Sequence, residues 1–84
     1  MEKFFIDARE MSHPVPLRTA IEYLQKMKDS DYIYMINNKK PTPLLAMVDE
    51  KGGFIHLEHL DENEVWHILI TKDKNLDLKA LLNV

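Results

Sequence analysis

The chain has 84 residues, 45% hydrophobic and 30% charged, with a formal net charge of -3 and no cysteine. That length supports one domain with a thin core, burying roughly 60–65% of the unfolded surface, and the missing cysteine excludes disulfides, zinc ribbons, iron–sulfur ligation and thiol chemistry. Scattered Lys and Arg argue against a nucleic-acid partner, the apolar run 44–48 is too short for a membrane span, and the N-terminus lacks a signal-peptide pattern, so the expected address is cytoplasmic.

Residues 3–8, short, aromatic and β-branched, read as a first strand. The stretch 11–16 forbids regular structure, because each proline restricts its own φ and the residue before it. Pro16 suits the first turn of a helix. From there Leu17, Ala20, Ile21, Leu24 and Met27 recur at helical spacing, opposite Arg18, Glu22, Gln25 and Lys28. Residues 32–36 read as a second strand, ended by Asn37-Asn38. A second proline-stiffened loop, 39–43, mirrors the first. Leu44, Leu45, Met47 and Val48 start a shorter helix that Gly52-Gly53 stops. Residues 54–59 and 65–71 form a hairpin across 60–64. Asn75 is placed to cap a last short helix carrying Leu78, Leu81 and Leu82.

A strand–helix–strand crossover joins parallel strands with a right-handed connection, so both helices are expected on one sheet face. The expected fold is a two-layer α/β (α+β) sandwich with one sheet face bare. Residues 1–72 make the domain, and 73–84 make a C-terminal extension, expected to be helical.

Several motifs recur in a defined order: Asp7 and Arg9, then His13-Pro14-Val15-Pro16-Leu17, Asn37, Pro41-Thr42-Pro43-Leu44, and Trp66. Together they resemble the TusA/SirA-like sulfur-carrier superfamily, whose Cys-Pro-x-Pro motif opens the first helix. They resemble more closely its uncharacterised branch, a domain of unknown function with His-Pro-x-Pro in that place. The resemblance covers roughly residues 3–72. It implies a four-stranded mixed sheet of order 1-2-4-3 with two helices on one face. The sulfur-carrier activity does not carry over. His13 stands where the persulfide-bearing cysteine would be, and an imidazole cannot hold a persulfide.

His13 is nonetheless the residue of most interest. A helix start carries partial positive charge, which suits a neutral ring, and a neutral imidazole can ligate a metal or haem or donate a hydrogen bond. The plainer reading is that His13 only packs the loop. The candidate binding surface, for a partner protein or a small ligand, comprises Asp7, Arg9, His13, Pro14, Pro16 and Asn37. Asp7 ends the first strand beside this loop and either accepts loop N–H groups or pairs with Arg9. Lys39-Lys40 near the second helix start can hold an anion or simply be solvated.

A second constellation depends on hairpin register. With Leu57 opposite Ile68, the residues Ile55, Leu57, Trp66, Ile68 and Ile70 face the core, and His59 ends that face. His56, Glu58, His67 and Leu69 then share the bare face, with Glu58 across from His67. With His13, the residues His56, Glu58 and His67 are the weak metal candidates, although His and Glu are ordinary occupants of a solvated sheet. Tyr32, Tyr34 and Ile36, with Phe5 and Phe54, are expected on that face too. Its cover is the leucine-bearing tail or a second copy, giving a homodimer.

No acid–base pair stands at a usable separation, so no enzyme is expected, and no cofactor is strongly implied. The expected function is a small cytosolic binding or accessory domain that docks a partner or ligand at residues 13–16, the surface that sulfur-relay relatives use to meet partners. The alternative is a metal- or haem-associated redox or sensing module with His13 as ligand.

Overall fold

Each proline-stiffened loop delivers the chain from a strand into a helix. In α1 (Val15–Lys26) and α2 (Thr42–Lys51) a proline, Pro16 or Pro43, stands in the first turn, where its missing N–H breaks no helical hydrogen bond. Met27 closes α1, its N–H donating to the Tyr23 carbonyl. Gly52 and Gly53 close α2 at φ +75° and +82°, a backbone region that favours glycine.

The computed structural model describes residues 1–84 and arranges four strands in the order β1–β2–β4–β3. β1 (Lys3–Asp7) runs parallel to β2 (Tyr32–Asn37), and β4 (Trp66–Thr71) lies antiparallel between β2 and β3 (Ile55–Leu60). Both helices cover the same face. Ala20 and Leu24 of α1 and Leu44 and Val48 of α2 close with Ile33, Met35, Ile68 and Ile70 into one buried core. The sandwich and its 1-2-4-3 order are those expected from the element sequence and the resemblance. At the entry to β2 the buried Asp31 carboxylate accepts N–H groups of Lys28 and Glu2, each at 2.8 Å. Those backbone donors hold its carboxyl below the usual carboxylate range.

The hairpin register differs from the expected one by a single residue. Leu57 lies opposite Leu69, Glu58 opposite Ile68 and His59 opposite His67. Because side chains alternate, the shift moves the whole of β3 to the other face. His56 and Glu58 therefore join the helix side, with Trp66, Ile68 and Ile70. Ile55, Leu57 and His59 turn to the far side, with His67 and Leu69. The cause is local turn chemistry. Asp61 Oδ1 accepts the N–H groups of Asn63 and Val65, and Glu64 adopts φ +62°, so the turn is drawn around Asp61 and Leu60 pairs with Trp66.

The face away from the helices is not bare. Residues 73–84 cross it, and Leu76, Leu78, Leu81 and Leu82 pack on Tyr32, Tyr34, Ile36, Ile55, Leu57 and Leu69. Tyr34 is 2% exposed beneath them. The chain's own tail, rather than a second copy, is the cover. Phe5 lies opposite Tyr34 as expected, whereas Phe54 packs against the helix-side core. The tail holds a single 3₁₀ turn (Lys79–Leu81) rather than a longer helix. Asn75 does not cap it, since its N–H instead donates to Asp73, and the Asp77 carboxylate receives the Ala80 N–H at 3.4 Å.

Candidate functional site

Pairing of β1 with β2 brings the two proline loops side by side. The Ala8 N–H donates to the Ile36 carbonyl at 2.8 Å, carrying the pairing one residue past β1. Beyond it, the Asn38 side chain donates to the Arg9 carbonyl at 3.1 Å and ties one loop to the other. The first loop is then folded by its own backbone. Val15 N–H donates to Ser12, and Arg18 N–H donates to Pro14, which starts α1. In the second loop, Thr42 N–H donates to Lys40 and Leu45 N–H to Pro41. Neither helix start carries a side-chain cap or an acidic residue in its first turn.

Between the loops lies a cleft of about 520 Å³, lined on one side by Arg9, His13 and Pro16 and on the other by Asn37, Lys39 and Lys40. Four of the six residues expected to bind, Arg9, His13, Pro16 and Asn37, meet in it. The other two stand behind it. Pro14 contributes its carbonyl to α1. Asp7 lies outside the lining and grips Arg9 through two hydrogen bonds, Nε to Oδ1 at 2.9 Å and a terminal nitrogen to Oδ2 at 2.8 Å. The Arg9 guanidinium holds the Asp7 carboxyl below the usual range, and the fork is thereby fixed in orientation.

No carboxylate lines the cleft, so Lys39, Lys40 and the imidazole of His13 face it without an acidic neighbour among its walls. Lys40 Nζ also sits 5.4 Å from the ring centroid of Trp66, which places the late tryptophan under the second loop. Asn38 was not among the expected binding residues. Its one sequence signal is the doubled Asn at the strand end, read there only as a stop. Chemically the cleft suits an anionic group.

The other candidates are distributed elsewhere. His56 and Glu58 lie on the helix side and His67 on the tail side, so the sheet separates them, and no three His, Asp or Glu side chains converge in ligating geometry. Each of these histidines is engaged internally. His56 Nδ1 is 2.7 Å from Glu58 Oε2, and its Nε2 is 2.7 Å from Asp49 Oδ1 on α2. Two carboxylate acceptors require two N–H donors, so this ring is an imidazolium. Burial disfavours that charge, yet the hydrogen bonds to Glu58 and Asp49 outweigh it and raise the pKa above the ordinary histidine value. His67 is placed differently. Its Nδ1 is 2.7 Å from Tyr34 Oη and its Nε2 is 2.8 Å from Asp61 Oδ2. Hydrogen bonding to His67 holds the Asp61 carboxyl below its usual range, with help from the Val65 N–H.

Comparisons with known proteins agree with this architecture. A SirA-like protein from Desulfitobacterium hafniense has a similar structure, with a TM-score of 0.72 at 17% identity, over 88% of this chain and 100% of that one. No curated protein matches the chain. The family of uncharacterized conserved proteins designated DUF2249 matches residues 5–72, from β1 to the residue after β4. The chain belongs to that family, on a SirA-like fold.

Proposed function

We propose that the chain is a small binding or accessory domain that docks a partner protein, or a small ligand, in the cleft between its two proline loops. The observation that supports this reading is the charge of the cleft. On a chain of net charge -3, Arg9, Lys39 and Lys40 gather with His13 around a cavity that no Asp or Glu lines. Such a surface steers and holds an acidic group, and the exposed lysines can be neutralised by it at little desolvation cost. Thiol chemistry has no part in it, because the chain has no cysteine.

The test is a backbone amide NMR titration with two probes, a hexaglutamate peptide and inorganic pyrophosphate. Shift changes are expected at residues 9–18 and 37–45, with saturation, and are expected to disappear in Lys39→Glu/Lys40→Glu and to shrink in His13→Ala. Absence of shifts with both probes, or identical shifts in the charge-reversed variant, would defeat the proposal.

A further inference from the structure

We infer that residues 73–84 form a strap over the second sheet face, and that its latch opens when His67 takes up a proton. The strap lies beyond the residues that the family shares, which end at 72. Four leucines hold it to the sheet. Its backbone hydrogen bonds run mostly within the strap, Leu76 to Asp73, Leu81 to Leu78 and Leu82 to Lys79. Near its far end one bond reaches the sheet, from the Asn83 N–H to Tyr34 Oη at 2.8 Å.

That bond belongs to a directional chain. Tyr34 Oη accepts from Asn83, so its own hydroxyl proton is available to His67 Nδ1 at 2.7 Å, and the ring proton on Nε2 goes to Asp61. A neutral ring carrying its proton on Nε2 satisfies all three bonds and also gives the Tyr34 hydroxyl proton an acceptor. A second ring proton leaves the Asp61 bond intact and strengthens it. The conflict falls on the other side of the ring. Nδ1–H then points at the phenolic oxygen that already accepts Asn83, and the buried Tyr34 hydroxyl proton has no acceptor. The relief within reach is rotation of the hydroxyl proton away from His67 and toward Asn83, where it displaces the Asn83 N–H and frees the strap's end.

The charged and titratable groups around His67 come from several elements. Tyr34 lies on β2, and His59 on β3 has its ring centroid 6.2 Å away. Asp61 and Glu62 belong to the hairpin turn, and Lys3 of β1 lies 4.8 Å from the Tyr34 ring. The strap's own residues at this end, Asn83 and Val84, add no ionisable side chain. Opening uncovers the apolar face of Tyr32, Leu57 and Leu69.

The experiment is amide hydrogen exchange with NMR on the intact chain, comparing protection factors at Asn83 and at Ile33 in the core. Between about pH 7.5 and about pH 5, the range in which histidine changes charge, protection at Asn83 is expected to fall about fivefold, the change that one net hydrogen bond makes. Ile33 is expected to hold its protection. The fall is expected to vanish in His67→Gln and Tyr34→Phe and to persist in His59→Gln. In the unmodified chain, the Asn83 amide shift and the His67 ring are expected to titrate with one midpoint. Two different midpoints, an unchanged Asn83 protection, or the same fall in His67→Gln would overturn the latch.

Discussion

The proline loops and the β3–β4 hairpin use histidine in opposite ways. At the helix starts, His13 is exposed beside Lys39 and Lys40, and no carboxylate lines its cleft. On the hairpin strands, His56 and His67 are consumed by internal partners: Asp49 and Glu58 for one, Tyr34 and Asp61 for the other. The difference separates rings engaged inside the fold from a ring that is exposed beside two lysines. It also separates the two paired rings. His56 between two acceptors is a cation, while His67 between a hydroxyl and a carboxylate is satisfied as a neutral ring.

This contrast breaks first if stability ignores it. His67→Ala leaves the buried Tyr34 hydroxyl without its partner and opens a void, and is expected to cost about 2–3 kcal/mol in urea denaturation. His13→Ala is expected to stay within about 0.5 kcal/mol of the parent, as an exposed loop substitution does. Equal losses would erase the distinction.

His56 sharpens it with pH. A ring whose folded pKa is raised stabilises the fold fully below the unfolded value near 6.5 and loses that contribution as pH rises through the folded value. The urea midpoint is therefore expected to decline on the alkaline side of about pH 6.5, and His56→Gln is expected to flatten that decline. A fourth variant, Lys39→Glu/Lys40→Glu, is expected to change stability by less than about 0.5 kcal/mol while abolishing hexaglutamate binding, read by the same titration. The smallest effect lies in the turn. Glu64 sits at φ +62°, where a side chain is strained, so Glu64→Gly is expected to gain about 0.5 kcal/mol in thermal unfolding.

Much of the fold was legible because the prolines punctuate it. Pro16 and Pro43 mark the helix starts, Gly52-Gly53 a helix end, and the leucine spacing after Asn75 announced an amphipathic tail. The hairpin register was not legible, for a physical reason. β4 reads Trp66-His67-Ile68-Leu69-Ile70, nearly continuous in apolar residues because both of its faces are covered, so no alternation tells one face from the other. The deciding interactions, Asp61 to the turn N–H groups and Glu64 in a left-handed conformation, leave no periodic trace. At the cleft, Arg9, His13 and Asn37 were legible as motif residues and Lys39-Lys40 as a basic spot. That Lys39-Lys40 closes the same cleft was not legible, because it depends on how the second loop is tied to the first, through the Asn38 bond to Arg9.

The most direct measurement is the imidazole nitrogen NMR spectrum of all four histidines at neutral pH, with and without hexaglutamate. The expected result is a doubly protonated His56, a His67 carrying its proton on Nε2, and a response to the peptide at His13 alone. A His13 ring that ignores the peptide, or peptide-induced shifts at His56 or His67, would contradict the assignment of binding to the helix-start cleft and of structural duty to the paired rings.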